Sequence, residues 1–401
     1  MSLNQKRSTL ALLALAVSAF AIGTTEFISV GLLPLIADDL HISVTAAGLT
    51  VTLYALGVTF GAPVLTSLTT AVSRKTLLLA LMMLFILGNS LAAASSGIAL
   101  LLTARVISAL SHGLFMSIAS TIAADLVPEN RKASAISIMF TGLTVATVTG
   151  VPLGTLLGQH LGWRAAFIAI AAIGVAALAA NLLLIPSGLR KGQRTPLNEQ
   201  IKLVTNGRLL LAFAITALGY GGTFAVFTYL SPLLHEISGF KEQTVAVILL
   251  VYGLAIAAGN IIGGKAANHK PMNALFYMFA LQAAVLLILT FTAPFKTAAL
   301  ISIIFMGLLA FMNVPGLQSY VVVLADRYAP GARDIASAVN IAAFNAGIAI
   351  GAYLGGIVTE HLGLIHTAWV GSVMVLGAVV LTARSRSLER RDEQLTHRTT
   401  A

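Results

Sequence analysis

Three ionisable residues lie inside long apolar stretches of the sequence: Glu26, Arg105 and His112. A charged side chain in hydrocarbon is costly, so an ionisable residue inside a membrane span is a functional candidate that needs a partner. Of the 14 acidic residues, only Glu26 lies well inside such a stretch, and Arg105 is the one basic residue that does so. A carboxyl, a guanidinium and an imidazole together can bind and release protons.

These residues can be related by helical geometry. Arg105 and His112 are seven residues apart, which returns a helix to nearly the same face. A Glu26 carboxyl buried away from Arg105 should hold a proton and release it when the two approach. We therefore predict proton coupling at these three positions. The alternative is a static ion pair between Glu26 and Arg105 that locks two helices, with His112 only hydrogen-bonded to a neighbour.

The composition shows which elements must position these side chains. The chain has 401 residues, of which 58% are apolar and 9% charged, and a mean hydropathy of +0.93. Soluble domains carry about a quarter charged residues. With about 20 apolar residues needed for each crossing, and about 33 for a crossing plus its loop, the length fits roughly twelve spans. We predict an all-α integral membrane protein with 12 transmembrane helices, whose first apolar run is a span rather than a signal peptide.

Apolar windows bounded by charges and turn residues define twelve spans and four regions. Spans 1 to 12 are predicted at about 9–36, 44–69, 76–96, 98–125, 134–159, 163–185, 208–234, 244–267, 271–293, 298–325, 334–359 and 364–383. The regions are a six-helix bundle at 1–185, a linker at 186–207, a second bundle at 208–383 and a tail at 384–401.

The basic residues predict the orientation of the chain. Of the 24 lysines and arginines, 20 fall in the alternate loops and termini that share one side of the membrane. Because cytoplasmic loops are enriched in Lys and Arg, both termini should be cytoplasmic. In this arrangement Glu26 and Arg105 differ in depth by only ~5 Å. The net charge of +10 is spread over short loops, so nucleic-acid binding is not expected.

An internal repeat relates the two predicted bundles. At an offset of 201, Asp125 matches Asp326, the tripeptide at 160–162 matches that at 361–363, and Gly150 and Gly154 match Gly351 and Gly355; at an offset of 198, Gly23, Thr25 and Pro34 match Gly221, Thr223 and Pro232. Two bundles in a parallel repeat, with a substrate site near the midplane between them, are typical of one large class of transporters.

The second half lacks charges at the matching positions. Phe224, Met306 and Asn313 stand where the first half has Glu26, Arg105 and His112. We therefore expect the second half to provide a polar and aromatic surface for substrate. The candidates for substrate binding are Tyr220, Tyr229, Asn313, Gln318, Asn340 and Asn345. The alternative is that these side chains only form hydrogen bonds between helices.

Small residues recur every fourth position in spans 5 and 11. They are Gly142, Ala146, Gly150, Gly154 and Gly158 in span 5, and Ala343, Gly347, Gly351 and Gly355 in span 11. Such stripes allow close helix packing, which is the favoured explanation; a surface on which one half moves against the other is the alternative. The sequence has no cysteine, phosphate-binding loop, HExxH or GxSxG motif, so we expect no cofactor, no metal and no enzymatic activity.

Three segments resemble the major facilitator superfamily, and within it the bacterial drug and sugar efflux branch of proton antiporters. They are GTTEFISVGLLPLIADDL at 23–40, RVISALSHGLF at 105–115 and GLTVATVTGVPLG at 142–154. The resemblance implies coupling roles for Glu26 and Arg105, and an antiporter motif at Gly142, Gly150, Pro152 and Gly154. It also implies a multi-pass protein of the bacterial inner membrane.

One loop departs from the pattern of that superfamily. The loop after span 2 reads TSLTTAVSRK, with Thr70 where aspartate is usual, and the loop after span 8 has Asn268 there. The charged contacts that close the cytoplasmic side should therefore be weaker or be built differently. Arg74 and Lys75 remain, with Asp125 or Glu129 as partners to be considered.

We expect a monomer in the lipid bilayer that exports a small organic molecule in exchange for protons by alternating access. SHGLF at 111–115, FTYLSPLL at 227–234 and ISGFKE at 237–242 most resemble arabinose-type sugar exporters. Chloramphenicol-type, multidrug and nucleoside exporters are close alternatives. Uptake by proton symport is disfavoured by the span 5 motif, and a membrane-bound enzyme or sensor by the scarcity of ionisable residues and soluble segments.

Overall fold

The computed structural model describes residues 3–42, 44–69, 71–189, 201–203, 205–268 and 270–400. Within these ranges the chain is helical, and twelve helices are long and apolar enough to cross a membrane. The predicted all-helical, twelve-span architecture is therefore confirmed. Thr70 and the linker residues 190–200, with Arg190, Lys191 and Arg194, lie outside the described residues.

The helices fill the predicted spans in order, and the span numbers are kept for them. Spans 1 to 6 are Leu3–Asp39, Val44–Thr69, Arg74–Ala93, Ile98–Asp125, the pair Lys132–Val145 and Val151–Leu161, and Trp163–Leu184. Spans 7 to 12 are Gly207–Phe227, Glu242–Ala266, Pro271–Thr292, the pair Lys296–Ala310 and Val314–Tyr328, Arg333–His361, and His366–Thr400.

Three spans differ from simple continuous helices. Span 5 contains a π-helical turn at Ala146–Gly150, and span 10 is interrupted by a turn at 311–313. Pro315 lies in the first turn of the second span 10 helix, where its missing N–H breaks no helical hydrogen bond. The helix of span 12 continues through the predicted tail to Thr400.

The chain divides into two compact units. One comprises Met1–Gln200 together with Pro330–Ala342, and the other comprises Ile201–Ala329 together with Ala343–Ala401. The first unit therefore holds spans 1 to 6 and the beginning of the span 11 helix. The boundary at 200 falls within the predicted linker.

The glycine stripes pack against the first span of their own unit. A Cβ added at Gly142 would lie 1.8 Å from the carbonyl oxygen of Ala16 in span 1. In the second unit, a Cβ at Gly351 would lie 2.0 Å from the carbonyl oxygen of Gly221 in span 7. At these separations no side chain fits, so glycine allows backbone-to-backbone contact, as the close-packing explanation requires.

The repeated tripeptide at 160–162 and 361–363 ends spans 5 and 11. Gly162 has φ +85° and Gly363 has φ +103°, a left-handed backbone region that glycine adopts without steric cost. Both glycines follow the last residues of a long helix. The glycine is thus repeated in both halves because the backbone at this position has a positive φ, as is common after the end of a helix.

A second repeated contact joins the first and third spans of each half. Thr25 in span 1 donates its hydroxyl to the Asn89 side-chain oxygen at 2.5 Å. In the second half, the Gln282 amide in span 9 donates to the Thr223 hydroxyl in span 7 at 3.1 Å. The threonines are the pair matched at an offset of 198, so the repeat extends to a buried hydrogen bond between helices.

A polar cluster ties together three chain segments at the side opposite the termini. The Asp39 carboxylate accepts hydrogen bonds from Trp163 Nε1 at 3.0 Å and Arg164 Nη1 at 2.7 Å. Arg164 also donates to the carbonyl oxygen of Ser95 at 3.1 and 2.8 Å. Asp39 lies beyond the apolar run of span 1, and the Arg164 and Trp163 hydrogen bonds hold the pKa of its carboxyl below the ordinary value.

A buried ionic cluster lies at the cytoplasmic end of the first unit, as the predicted topology orients it. Arg74 pairs with Asp125 and also donates to both carboxylate oxygens of Asp334, at 2.9 and 3.3 Å. Arg333 pairs with the other oxygen of Asp125 at 2.7 Å. Two arginines and two aspartates thus neutralise one another. Asp125, one of the two partners considered for Arg74 from the sequence, is its partner in the structure.

The other residues considered for this side have different partners. Lys75 donates to the carbonyl oxygens of Leu182 and Ile185 at 2.9 and 2.6 Å, at the end of span 6. Glu129 pairs with Lys132 at 3.3 Å on the surface. Neither residue therefore joins the buried cluster.

Candidate proton and substrate sites

Arg105 lies at the meeting point of spans 1, 2 and 4 and is only 1% exposed. Its Nη1 donates to the carbonyl oxygen of Thr25 at 2.7 Å, and its Nε donates to that of Thr50 at 3.2 Å. A longer contact of 3.5 Å joins Nη2 to the carbonyl oxygen of Glu26. The guanidinium also stands 4.1 Å from the centre of the Tyr54 ring. Backbone carbonyls and an aromatic face therefore hold this buried cation.

Glu26 lies beside Arg105 but is not bonded to it through its side chain. Within the part of the chain that the structure describes, no ion pair joins the Glu26 carboxylate to any cation. The side chain is partly exposed, whereas its neighbours Thr24 and Thr25 are buried. Spans 1 and 4 thus meet at Glu26 and Arg105 through a backbone carbonyl of span 1.

His112 is 4% exposed, and its Nδ1 lies 3.0 Å from the hydroxyl oxygen of Tyr54 in span 2. Since Tyr54 also contacts Arg105 through its ring, one tyrosine touches both residues of the seven-residue pair. This common contact agrees with the expectation that Arg105 and His112 point into the same space. The hydrogen bond to Tyr54 is also what the alternative explanation expects, in which His112 only bonds a neighbour and has no part in proton coupling.

The span 5 segment that resembles an antiporter motif packs on the part of span 1 that carries Glu26. A Cβ added at Gly150 would lie 2.8 Å from the Thr24 hydroxyl, and one at Gly154 would lie 2.1 Å from the Ile28 side chain. The π-helical turn ends at Gly150, and Pro152 lies in the first turn of the following helix. The motif therefore determines how closely span 5 approaches span 1 on either side of Glu26.

The second unit contains a continuous aromatic cluster centred on Tyr220. The ring centre of Tyr220 lies 4.9 Å from that of Phe224, 5.4 Å from that of Phe311 and 5.0 Å from that of Phe344. Spans 7, 10 and 11 each contribute to this cluster. Its separations are those of favourable edge-to-face or tilted aromatic pairs.

Asn313 lies at the end of the turn that interrupts span 10. It is 1% exposed, and neither its side-chain oxygen nor its side-chain nitrogen has a hydrogen-bond partner. It is the residue before Val314, where the second helix begins, but its side chain does not cap that helix. A buried amide with both groups unsatisfied is uncommon in native structures.

The remaining substrate candidates lie in the predicted spans 7, 10 and 11. The Tyr229 hydroxyl donates to the carbonyl oxygen of Ala352 at 3.1 Å, a hydrogen bond between spans 7 and 11. Gln318 and Asn340 are fully buried, and Asn345 is partly exposed. Asn340 belongs to the first unit, whereas the others belong to the second.

Sequence reasoning missed Tyr54, Phe311 and Phe344. The offset of 198 pairs Tyr54 with Tyr252, so the repeat could have indicated a tyrosine of structural importance. Phe311 and Phe344 are ordinary apolar residues in their spans, and only the packing of Tyr220 against them singles them out. Among the described residues, no group of three or more metal-binding side chains is placed to hold a metal ion.

The fold is that of a multi-pass membrane protein built from two six-span halves. The Major Facilitator Superfamily family model matches residues 15–332. The chain belongs to the major facilitator superfamily. Members of this superfamily carry small molecules across membranes and are not enzymes.

Two relatives and one solved structure illustrate this membership. The "Uncharacterized MFS-type transporter YtbD" of Bacillus subtilis (strain 168) is 70% identical over 394 residues, covering 98% of this chain and 100% of that protein. A "Chloramphenicol resistance protein" of Streptomyces lividans is 32% identical, covering 94% and 97%. The human organic anion transporter MFSD10 has the same fold, with a TM-score of 0.76 at 16% identity, covering 95% and 100%.

Proposed function

We propose that this protein exports a small organic molecule in exchange for protons by alternating access. The observation that carries the proposal is the partly exposed Glu26 carboxylate, which has no ion-pair partner among the described residues and lies beside a buried arginine. A carboxylate within a membrane span is costly unless it is paired or protonated. Its charge state should therefore depend on its separation from Arg105.

The anchoring of Arg105 supports a mechanism in which Glu26 is the group that changes. Arg105 is bound to the carbonyl oxygens of Thr25 and Thr50, so its position does not depend on the Glu26 carboxylate. A movement that brings the carboxylate to Arg105 favours its ionised form, and a movement away favours its protonated form. Proton binding and release would thereby follow the conformational cycle.

Export, rather than uptake, is favoured by the antiporter motif of span 5. Gly142, Gly150 and Gly154 each lie against span 1, on which Glu26 is carried. Proton-coupled uptake is the second candidate for the direction of transport. The excess of Lys and Arg in alternate loops favours cytoplasmic termini and location in the bacterial inner membrane.

The exported molecule is proposed to be a sugar or sugar-like solute, from the resemblance of spans 4 and 7 to arabinose-type exporters. The second candidate is a drug, as for the chloramphenicol resistance protein among the relatives. The aromatic cluster around Tyr220 suits either the apolar face of a sugar ring or an aromatic drug.

The test is substrate accumulation in inverted membrane vesicles driven by an inside-acid gradient. With radiolabelled arabinose and chloramphenicol as probes, the native protein should accumulate one of them and release protons as it does so. Glu26→Gln removes the ionisable group while keeping the side-chain size, so gradient-driven accumulation should fall at least tenfold. Glu129→Gln, which changes a surface carboxylate paired with Lys132, should leave accumulation unchanged.

Two results would overturn the proposal. If accumulation by Glu26→Gln remains fully driven by the pH gradient, Glu26 does not couple proton movement to transport. Accumulation only under the opposite gradient would establish symport instead of exchange.

A further inference from the structure

Three arginines of the span 12 helix line a recess just beyond the predicted apolar run of that span, which ends at residue 383. Arg386, Arg390 and Arg391 lie within two turns of the helix, and the recess separates them from the beginning of span 9. This arginine recess has a volume of about 420 Å³, and both spans belong to the second unit. Its other lining residues, within the described part of the chain, are Phe276 of span 9 and Ala383 and Ser387 of span 12.

Arg386 has aromatic contacts but no acceptor for its hydrogen-bond donors. The guanidinium carbon lies 4.6 Å from the centre of the Phe276 ring and 5.9 Å from that of Tyr277. Its Nε is buried without a hydrogen-bond partner, and the side chain forms no ion pair with any residue that the structure describes. A ring attracts the face of a guanidinium, whereas the N–H groups point outwards in its plane. Since buried donors are nearly always satisfied, these groups require an acceptor from elsewhere.

The nearest acid in sequence does not provide this acceptor. Glu389 lies on the same helix, but it is hydrogen-bonded to Tyr320 of span 10 and does not line the recess. Arg390 and Arg391 are exposed, and neither forms an ion pair within the described ranges. Three cations thus border one space without a neutralising group from the described chain. A phosphate fits this arrangement, because its oxygens can accept two parallel hydrogen bonds from one guanidinium.

The arginine recess lies where the apolar part of the helices ends. Phe276 and Tyr277 are in the second turn of span 9, and Ala383 is the last residue of the predicted span 12. This is the height at which lipid head groups meet the hydrocarbon. In the predicted topology this end is cytoplasmic, and the cytoplasmic leaflet has a negative surface because of its anionic lipids.

A second recess continues along the membrane surface of span 9 and is mainly apolar. It has a volume of about 490 Å³ and includes Tyr277, the residue whose ring faces Arg386. Tyr277 is 61% exposed and Leu281, one turn further into the span, is 57% exposed. A free phosphate ion gains nothing from this apolar surface, whereas a phospholipid can place an acyl chain against it. The lining residues are Ala266, Lys270, Asn273, Ala274, Tyr277, Met278, Leu281 and Met312.

We propose that the arginine recess binds the phosphate group of an anionic phospholipid, whose acyl chain lies along Tyr277 and Leu281. Arg386 binds the phosphate through its in-plane donors, and Arg390 and Arg391 add the charge that selects an anionic over a zwitterionic lipid. Basic pockets between membrane helices on the cytoplasmic side suit such head groups. This site goes beyond the proposed function, because it binds a lipid of the membrane and not the transported molecule.

The test measures binding of phosphatidylglycerol, an anionic phospholipid, and phosphatidylcholine, a zwitterionic one, to the purified full-length protein in detergent by native mass spectrometry. The native protein should bind one phosphatidylglycerol about tenfold more tightly than phosphatidylcholine. Arg386→Gln removes the charged donors, so we expect its affinity for phosphatidylglycerol to fall about tenfold, as for one lost charge-assisted hydrogen bond. Inorganic phosphate should displace the lipid only at a far higher concentration.

Two further variants separate the site from misfolding and from general attraction by positive charge. Arg390→Gln combined with Arg391→Gln changes two exposed side chains, so the fold should be kept while phosphatidylglycerol binding falls about tenfold. Arg384→Gln is the matched control: it removes the same charge from an exposed position of the same helix that does not line the recess. Its affinity should change by less than about twofold.

Weaker binding in Arg386→Gln and in the double variant, with unchanged binding in Arg384→Gln, would support the site. Equal affinity of the native protein for the two lipids would overturn it, as would an equal loss in Arg384→Gln and Arg386→Gln or unchanged affinity in the double variant. Displacement of the lipid by inorganic phosphate at the same concentration would establish a site for a free anion instead. The measurement uses no proton gradient, so its outcome is independent of the vesicle experiment.

Discussion

At the scale of single residues, Arg105 is held by several hydrogen bonds, whereas the neighbouring Glu26 carboxylate forms no ion pair within the described residues. Arg105 uses its donors on backbone carbonyls of spans 1 and 2, whereas the Glu26 side chain has no ion-pair partner in the described part of the chain. A cation satisfied by carbonyls keeps its position when the nearby carboxylate gains a proton. The position of Arg105 is therefore set by backbone groups and not by the Glu26 carboxylate.

Tyr54 is the residue through which Arg105 and His112 can influence each other. Its ring lies under the guanidinium and its hydroxyl bonds the imidazole. Tyr54→Phe keeps the ring contact but breaks the hydrogen bond, at a cost of about 1 kcal/mol. We expect nearly unchanged thermal stability and an altered pH profile of substrate exchange, measured in proteoliposomes between pH 5.5 and 8.5.

The control for this prediction is Tyr353→Phe, which removes a hydroxyl from a side chain that is 71% exposed in span 11. It should leave both stability and pH profile unchanged. A Tyr54→Phe profile identical to that of the native protein would limit Tyr54 to a packing role.

Among the helices, the two halves differ where the repeat leads one to expect equivalence. Span 4 is a continuous helix through His112, whereas its counterpart, span 10, is interrupted at 311–313. Pro315 of span 10 corresponds to Leu114 of span 4, and proline fits the first turn of a helix but not the interior of a continuous one. One substitution between the halves therefore accompanies a local change of backbone that leaves Asn313 unsatisfied.

The contact between spans 1 and 5 gives a stability prediction. Gly142→Ala would place a Cβ 1.8 Å from the Ala16 carbonyl oxygen, so the two backbones must separate. We expect destabilisation of about 1–3 kcal/mol, as for overpacking of a core. The loss should be measured as a lower Tm of the purified protein in detergent.

Gly377→Ala is the control within a span, because its Cβ would meet Leu218 at an ordinary 3.5 Å. Its Tm should stay the same or rise slightly, since alanine favours helix more than glycine does. If the Tm of Gly142→Ala equals that of Gly377→Ala, spans 1 and 5 do not approach each other as closely as the structure indicates.

Across the molecule as a whole, the ionic cluster joins residues that are more than 200 positions apart in sequence. Arg74 and Asp125 belong to the first half, and Arg333 and Asp334 begin span 11, yet all four lie in one compact unit. The four side chains are between 6% and 17% exposed, so their charges depend on one another.

Removal of one carboxylate should therefore be costly. Asp125→Asn leaves Arg74 and Arg333 with a single aspartate between them, and we expect a loss of about 2–3 kcal/mol, below that of a fully buried pair. The Tm should fall by several degrees. Asp39→Asn, which changes a half-exposed pair with Arg164, is the control and should lower Tm by about 1 °C.

An equal decrease for Asp125→Asn and Asp39→Asn would show that the inner cluster contributes no more than a surface ion pair. The expected difference follows from burial, because screening by water weakens the exposed interaction.

The twelve spans, the repeat and the small set of ionisable residues within the spans all follow from the linear pattern of the chain. Hydropathy, helical period and the cost of a buried charge are local properties, so they can be read along one chain. The repeat also identifies Asn313 as the counterpart of His112, because the offset of 201 is itself a property of the amino-acid order.

Which atoms meet depends instead on how the helices pack. Arg105 could bond to a carboxylate or to carbonyl oxygens, and the packing of spans 1, 2 and 4 selected the carbonyl oxygens. Tyr54 became the partner of His112, and the interruption of span 10 left the Asn313 amide unsatisfied. These outcomes depend on neighbours contributed by distant spans, and a local pattern along the chain does not specify such neighbours.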